Sequence, residues 1–233
     1  MTAIWRKELQ AYFFTPVAYV FMGVFLLLAS LFFYLLILAQ RSSDLLTFLR
    51  YMSYLWMLLS PVLTMRLMAE ERQKRTDQLL MTSPVSVTGI VLGKYLAALT
   101  VLLATVLLTL VYVAVVARYG AAYPGELLTG YLGFILQGCA FVAIDLLVSA
   151  LVRSPIVAAT AAFGVNFALW MMDLATLFAP EWLSGILRFV SLYSRNEPFL
   201  MGQLSWAGVF YDLSVIAAAL LTAVWAQDRR RRA

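Results

Sequence analysis

The densest group of charged side chains in this sequence lies between two long apolar segments. It consists of Glu70, Glu71, Arg72, Lys74 and Arg75, in a chain whose residues are 64% hydrophobic. Mixed charges on one or two helical turns can form ion pairs with another protein, and they give such a contact orientation and specificity. This charged segment therefore predicts a docking surface for a soluble partner. The alternative is a solvated loop whose arginines only set the membrane orientation.

The charged segment is followed by Thr82, Ser83, Pro84 and Val85. Proline has no backbone N–H and restricts the residue before it, so a turn is expected here. Residues 82–88 are predicted to form a short surface helix or turn that seats in a groove of a soluble subunit.

Three polar residues interrupt apolar runs and are candidates for intramembrane sites: Asp145, Asn166 and Asp212. A carboxylate is costly in lipid, so Asp145 should face protein or a wet cavity. It could line a substrate path, act as a conformational latch, or form a structural hydrogen bond to a neighbouring span. Asn166 is predicted to bond a neighbouring helix. Asp212 either marks the outer boundary of a span or points into a dimer contact.

Several kinds of catalytic site are excluded by what the sequence lacks. With no histidine and one cysteine, it offers no histidine-based zinc site, serine–histidine hydrolase or intrachain disulfide. An intramembrane aspartyl protease built on Asp145 and Asp212 would need a glycine motif beside one aspartate, but Ala143 and Ile144 precede Asp145. We expect no catalytic residue, no metal and no cofactor on this chain.

One segment of the sequence weakly resembles a nucleotide-binding motif. The segment GIVLGK at residues 89–94 resembles a P-loop but is one residue short, and Tyr95 stands where serine or threonine would hold magnesium. A helix start with Lys94 at the membrane surface is the simpler interpretation. Any ATP and magnesium would therefore be bound by a partner.

The composition is that of a polytopic membrane protein. Mean hydropathy is +0.89, and 12% of residues are charged, against about 25% in soluble domains. At about 20 residues a span, the chain can hold six transmembrane helices. We predict an all-α fold in a single domain over residues 1–233, with no cleavable signal peptide. The predicted spans are residues 17–39, 51–68, 95–117, 127–152, 154–172, and from 204 or 209 to 226.

Two segments outside the spans are predicted to be amphipathic. Residues 1–15 place apolar side chains at helical spacing with Arg6 and Lys7 between them, which indicates a helix lying in the membrane interface. The alternative is a flank that only sets topology. Residues 173–203 join the fifth and sixth spans, and a short helix is predicted over 181–193.

The distribution of basic residues predicts the orientation. With the amino terminus inside, twelve lysines and arginines are cytoplasmic and five are external, as the positive-inside rule requires. Both termini and residues 69–94 are then cytoplasmic, and residues 173–203 are external. The cytoplasmic group is Arg6, Lys7, Arg66, Arg72, Lys74, Arg75, Lys94, Arg153, Arg229, Arg230, Arg231 and Arg232.

Three regions of the sequence resemble the permeases of ABC-2-type transporters, and within them the gliding-motility-associated branch. They are RKELQAYF at 6–13 with TPVAYV at 15–20, then MRLMAEE at 65–71 with SPV at 83–85 and LGK at 92–94, and finally EPFLMG at 197–202 with VFYD at 209–212. The resemblance covers nearly the whole chain in the same order.

The resemblance implies a permease of six spans that forms a homodimer in the bacterial inner membrane, each half bound to a separate P-loop ATPase. The ATPase would contact the amino-terminal helix, with Arg6 and Lys7, and the loop between spans two and three. Glu70, Glu71, Arg72, Lys74 and Arg75 would lie in the connecting turn, and residues 82–87 would be the coupling element.

Exchange of Glu70 and Glu71 for lysine is then expected to release the ATPase and to leave insertion intact. Export of an unidentified cargo, helped by an extracytoplasmic partner, is the function implied, with no role for nucleic acid. The alternative is a membrane scaffold that recruits cytoplasmic proteins without transport.

Overall fold

The computed structural model describes residues 2–76, 85–119 and 123–232, and these residues form helices and no strands. The helices are α1 (Thr2–Phe14), α2 (Val17–Phe33, continued by a π-helical turn at Tyr34–Leu38), α3 (Leu45–Thr64), α4 (Arg66–Gln73), α5 (Val87–Tyr119), α6 (Pro124–Leu151), α7 (Pro155–Ala175), α8 (Glu181–Val190), α9 (Leu192–Asn196) and α10 (Trp206–Arg232). A short 3-10 turn, Phe199–Met201, precedes α10.

Six helical segments of the described chain are long and apolar enough to cross a membrane, which confirms the predicted all-α, six-span fold. They are Val17–Leu38, Leu45–Gln73, Val87–Tyr119, Pro124–Leu151, Pro155–Ala175 and Trp206–Arg231.

Two of these helices begin more than one helical turn earlier in the chain than predicted. The second starts at Leu45 rather than residue 51, because the Asp44 side chain caps it by accepting a hydrogen bond from the Thr47 backbone N–H at 3.0 Å. The third starts at Val87 rather than residue 95. Lys94 therefore lies two turns inside a helix.

The second span is broken at Met65, between α3 and α4. Pro61 lies inside α3 and removes one backbone donor. The Ser149 hydroxyl of α6 fills the break: it donates to the Met65 carbonyl at 3.2 Å and accepts from the backbone N–H groups of Met68 and Ala69 at 3.2 and 3.3 Å. Because a side chain satisfies the exposed backbone groups, α4 continues the second span beyond the break.

The helix α6 lies at the centre of the bundle, with α3, α5, α7 and α10 packed around it. Gly138 allows α5 to approach closely, since a Cβ atom there would lie 2.7 Å from the Leu102 side chain. Trp56, Phe25 and Phe134 fill the buried centre.

Large apolar side chains elsewhere on the spans, such as Leu27, Leu107 and Leu221, are exposed, as expected of a surface that faces lipid.

The six crossings bring both ends of the chain to the same end of the bundle. There α1 meets α4 and α5, and Arg231 of α10 donates to the Val85 carbonyl at 3.2 Å. We call this the terminal end. The helices α8 and α9 lie at the opposite end, after the fifth span.

Candidate functional site

Part of the predicted docking surface forms a regular helix at the terminal end. Glu70, Glu71 and Arg72 lie on α4, Lys74 follows as its C-cap, and Arg75 has a positive φ of 56°. The expectation that all five occupy a connecting turn is therefore wrong for the first three. Their helix continues the second span, so the span and the charged segment are mechanically joined.

One face of α4 carries a ladder of charges with helical spacing. Glu70 accepts from Arg66 Nε at 2.5 Å and from Lys74 Nζ at 2.7 Å, each four residues away. Such pairs stabilise an exposed helix modestly. They also fix the charged groups that a partner would meet.

A second group of charges is buried beneath this surface and centred on Lys94. The Lys94 side chain is 1% exposed. Its ammonium group lies 2.9 Å from Glu8 Oε1 of α1 and 2.9 Å from Glu71 Oε2 of α4, and it also donates to the Leu67 carbonyl. Three acceptors use all three ammonium donors. A single cation therefore joins α1, α4 and α5.

Lys7 completes this Lys94 cluster and balances its charge. Its ammonium group lies 3.1 Å from Glu71 Oε1 and 4.0 Å from Glu8 Oε1. The cluster thus holds two cations and two carboxylates. Lys7 is largely exposed, whereas Lys94 is enclosed, so the cluster reaches from the bundle interior to the surface. The neighbouring Arg6 is exposed.

The predicted amino-terminal helix is confirmed as α1, and its inner side is anchored to the bundle. The Tyr12 hydroxyl donates to the Leu63 carbonyl at 2.8 Å, and Trp5 Nε1 donates to Thr100 Oγ1 at 3.2 Å. Burial raises the pKa of the Tyr12 phenol above its ordinary value, so this donor keeps its proton. With the Lys94 cluster, α1 has three fixed points on the spans.

Lys94 and Glu8 were not among the predicted site residues. Lys94 was expected at the membrane surface, and Glu8 was one charge in an amphipathic segment. The sequence feature that could have identified this cluster is a lysine within an apolar helix. A lysine buried in such a helix is nearly always paired with an acidic residue. The identity of that partner depends on contacts between residues 86 positions apart.

Two arginines cap the end of α6 at the terminal end. Arg72 Nη1 donates to the Val152 carbonyl at 2.8 Å, and Arg230 donates to the carbonyls of Ala150 and Leu151 at 3.0 and 3.2 Å. Cations are favoured at a helix C-terminus, where carbonyl groups lack partners. Arg72 therefore has a contact within the chain and is only partly available to a partner.

The predicted coupling element falls mainly outside the described residues. Thr82, Ser83 and Pro84 lie there, while Val85 is half-buried and its carbonyl accepts from Arg231. Residues 87 and 88, predicted within the same surface element, instead open α5.

The structure brings two of the predicted intramembrane residues together. Asp145 of α6 accepts from the Ser60 hydroxyl of α3 at 2.7 Å and from Asn166 Nδ2 of α7 at 2.9 Å. All three side chains are buried. The arrangement matches the structural hydrogen bond that was one of the three alternatives for Asp145, and the predicted bond of Asn166 to a neighbouring helix is observed.

Asp212 is 1% exposed within the single chain, so its side chain lies inside the bundle. The two interpretations of Asp212, as the outer boundary of a span or as a dimer contact, stay predictions. Among the described residues, neither carboxylate oxygen has a hydrogen-bond partner. Asp145 bonds Ser60 and Asn166 instead, so the two aspartates share no hydrogen bond of the kind expected in a protease pair.

A search of the described residues for clustered metal ligands finds no group of three or more acidic or cysteine side chains that could hold an ion. The described contacts at the terminal end are ion pairs and hydrogen bonds. Such an arrangement can bind a partner and transmit displacement between helices.

Comparison with protein families gives one match, and it agrees with the fold. A family model described as ABC-2 family transporter protein matches residues 17–201, which include five of the six spans. Comparison with curated proteins gives no match. The family match covers well over half of the chain, and the six apolar helices are those of a multi-pass membrane component. The chain therefore belongs to the ABC-2 family of transporter proteins and is a membrane permease component of an ABC transporter.

Proposed function

We propose that the terminal end of this permease receives motion from a separate P-loop ATPase and passes it to the spans, which move a cargo across the membrane. ATP and magnesium are bound by that ATPase. The observation that carries the proposal is the Lys94 cluster, because it joins the amino-terminal helix, the charged helix and a full-length span through one buried cation.

The route of the motion follows from the helices that meet at Lys94. A partner that displaces α1 or α4 must either break the contacts of Lys94 or carry α5 along. The helix α5 runs unbroken from Val87 to Tyr119 and reaches the opposite end. Coupling between two sites requires a shared element that both of them bias. We assign that role to α5 and to the second span, which α4 continues.

The surface offered to the ATPase is the exposed part of the same region. Arg6, Lys7, Lys74 and Arg75 are exposed there, and Glu70 holds Lys74 in place. Mixed charges at such a contact set orientation and specificity. Residues 82–87 complete the proposed coupling element on the basis of the family resemblance.

The remaining features of the proposal rest on the resemblance and on the charge distribution. The permease is a homodimer of the bacterial inner membrane, belongs to the gliding-motility-associated branch, and works in export. The terminal end is cytoplasmic, because it carries most of the lysines and arginines. Segments at the opposite end are short, so an extracytoplasmic partner would help to handle the cargo.

A membrane scaffold that recruits cytoplasmic proteins without transport would use the same exposed charges. The buried part of the Lys94 cluster favours the permease, because a scaffold needs only a docking surface. A connection from the docking surface to α5 is needed only if a displacement of α1 or α4 by the partner is transmitted to the spans.

The test is affinity purification of the tagged chain from its native membrane in detergent, with mass spectrometry of the copurifying proteins. The Glu70 and Glu71 exchange is a poor probe, because Glu71 belongs to the buried cluster and a lysine there would disturb folding. Lys74→Glu with Arg75→Glu changes exposed groups only. Arg118→Glu, an exposed site on the last turn of α5 at the opposite end, is the matched control.

We expect a stoichiometric P-loop ATPase with the wild type and with Arg118→Glu, and its loss with the Lys74/Arg75 variant. An ATPase that stays bound to the Lys74/Arg75 variant would show that the docking surface is misplaced. A wild-type preparation without ATPase, from membranes in which neighbouring genes are expressed, would support the scaffold instead.

A further inference from the structure

A cleft of about 890 Å³ opens at the end of the bundle opposite the termini. It lies among α3, α7, α8 and α9, well away from the Lys94 cluster. Its volume falls in the range of small-molecule sites, which is about 300–1,000 Å³. The residues that matter for its chemistry are Tyr54, Trp170, Asp173, Arg188, Arg195 and Glu197.

The basic side of the cleft is formed by two arginines. Arg195 lies over the rings of Phe189 and Tyr211, with its Cζ atom 4.8 and 5.6 Å from their centroids. Its Nε atom is buried and has no hydrogen-bond partner in the described part of the chain. Arg188 is exposed at the rim. Within residues 2–76, 85–119 and 123–232 neither arginine forms an ion pair, so both guanidinium groups remain available to an anion.

The same cleft also carries two carboxylates. Asp173 Oδ1 accepts from the hydroxyls of Ser191 and Ser194 at 2.7 and 2.6 Å, which fixes the orientation of the group. Glu197 is exposed. Tyr54 and Trp170 supply aromatic walls between these charges and the apolar surface of α7. A ligand that carries both a phosphate and an amine would match this combination.

The depth of the cleft relative to the membrane points to the source of such a ligand. The span α7 ends at Ala175, and α8 begins at Glu181 after a short turn. Phe178, Trp182, Ile186 and Phe189 recur at spacings of four, four and three residues, and all are exposed. A helix with an exposed apolar stripe that contains tryptophan lies in the membrane interface. The cleft is therefore at the level of the lipid headgroups.

We propose that this cleft binds the headgroup of a zwitterionic phospholipid from the adjacent leaflet. The phosphate is held by Arg188 and Arg195, because planar guanidinium groups bind phosphate oxygens in pairs. The ammonium group faces Asp173 and Glu197, and the acyl chains lie along the apolar stripe of α8 and the exposed side of α7. The site is a lipid-binding site of the folded chain and does not depend on the proposed ATPase.

The test is retention of added lipid by the purified full-length chain in detergent, followed by native mass spectrometry. The probes are dioleoyl phosphatidylethanolamine, dioleoyl phosphatidylglycerol and free phosphoethanolamine. We expect the wild type to retain phosphatidylethanolamine at least tenfold better than phosphatidylglycerol, and to bind phosphoethanolamine only weakly. Arg188→Gln should lower retention of phosphatidylethanolamine about tenfold, and Glu197→Gln should reduce the preference over phosphatidylglycerol.

The control is Arg118→Gln, which removes an exposed arginine at the same end but outside the cleft and should retain lipid as the wild type does. Arg188 and Glu197 are exposed, so their variants should fold, and thermal unfolding checks this. Equal or better retention of phosphatidylglycerol would overturn the proposal in favour of an anionic-lipid site. Tight binding of free phosphoethanolamine would overturn the membrane source, and unchanged retention in Arg188→Gln would overturn the site.

Discussion

Two polar groups hold the helices of this permease together, and they differ in the charge that they bury. The Lys94 cluster at the terminal end joins α1, α4 and α5 through a buried cation and two carboxylates. The Asp145 network joins α3, α6 and α7 through one acid and two neutral donors. Loss of Lys94 leaves two carboxylates without their central cation, whereas loss of Asp145 leaves only the neutral donors of Ser60 and Asn166 without that acceptor. The Lys94 cluster is therefore suited to fix α1, α4 and α5 in one relative position. The Asp145 network is suited to hold α3, α6 and α7 together.

The largest expected effect is that of removing the central cation of the first group. Lys94→Met would leave the partly buried Glu8 and Glu71 beside each other with only Lys7 as a counter-ion, and the cost should approach the roughly 3–5 kcal/mol of breaking a buried pair. Thermal unfolding in detergent should show the loss, and Lys94→Arg, which keeps the charge, should recover part of it. If Lys94→Met unfolds at the same temperature as the wild type, the Lys94 cluster does not contribute more to stability than the Asp145 network.

A smaller loss is expected when the second group is broken. Asp145→Leu removes two hydrogen bonds and leaves Ser60 and Asn166 without their partner, at a cost of about 1–3 kcal/mol. The hydrogen bonds to Ser60 and Asn166 are the reason that this exchange is expected to destabilise the protein. The same unfolding measurement applies. A loss as large as that of Lys94→Met would show that the two groups do not differ as described.

Asp212 provides a third case. It is as buried as Asp145, but it has no hydrogen-bond partner among the described residues. Replacing an unpaired buried polar group removes a desolvation cost. We expect Asp212→Leu, which puts an apolar side chain of similar size in its place, to leave stability unchanged or to raise it by about 1 kcal/mol. A destabilisation comparable to that of Asp145→Leu would mean that Asp212 has a partner in the assembled transporter.

The smallest effect is expected at the surface of the same end. Lys74 forms its ion pair with Glu70 in an exposed position, and such pairs contribute about 0–1 kcal/mol. Lys74→Gln should therefore shift the unfolding temperature little, in contrast to the buried Lys94. A shift close to that of Lys94→Met would indicate that burial does not decide the cost.

Much of the fold was predictable because its signals are local. Apolar runs of the required length located all six spans, and the periodic residues before Pro16 predicted α1. The starts of α3 and α5 were missed for the same reason. Arg50 was assumed to lie outside the membrane helix, and Lys94 was assumed to lie at its edge. In both cases a charged residue was used as a boundary although the helix extends past it.

The site was predictable only in part. Glu70, Glu71, Arg72, Lys74 and Arg75 stood out by their density, but the sequence could not distinguish exposed charges from those with partners inside the chain. The structure divides them: Glu71 faces the buried Lys94, Arg72 caps α6, and Lys74 stays at the surface.

The sequence by itself determined the number of spans and the concentration of basic residues at one end. Hydropathy and charge are properties of single segments, and each segment's own hydropathy and flanking charges determine whether it spans the membrane and in which orientation. The tertiary structure alone decided which charges are buried and paired. Lys94 meets Glu8 across 86 positions, and Asp145 meets Ser60 across 85. A residue's partner depends on which helices become neighbours, and packing of the whole bundle sets that choice.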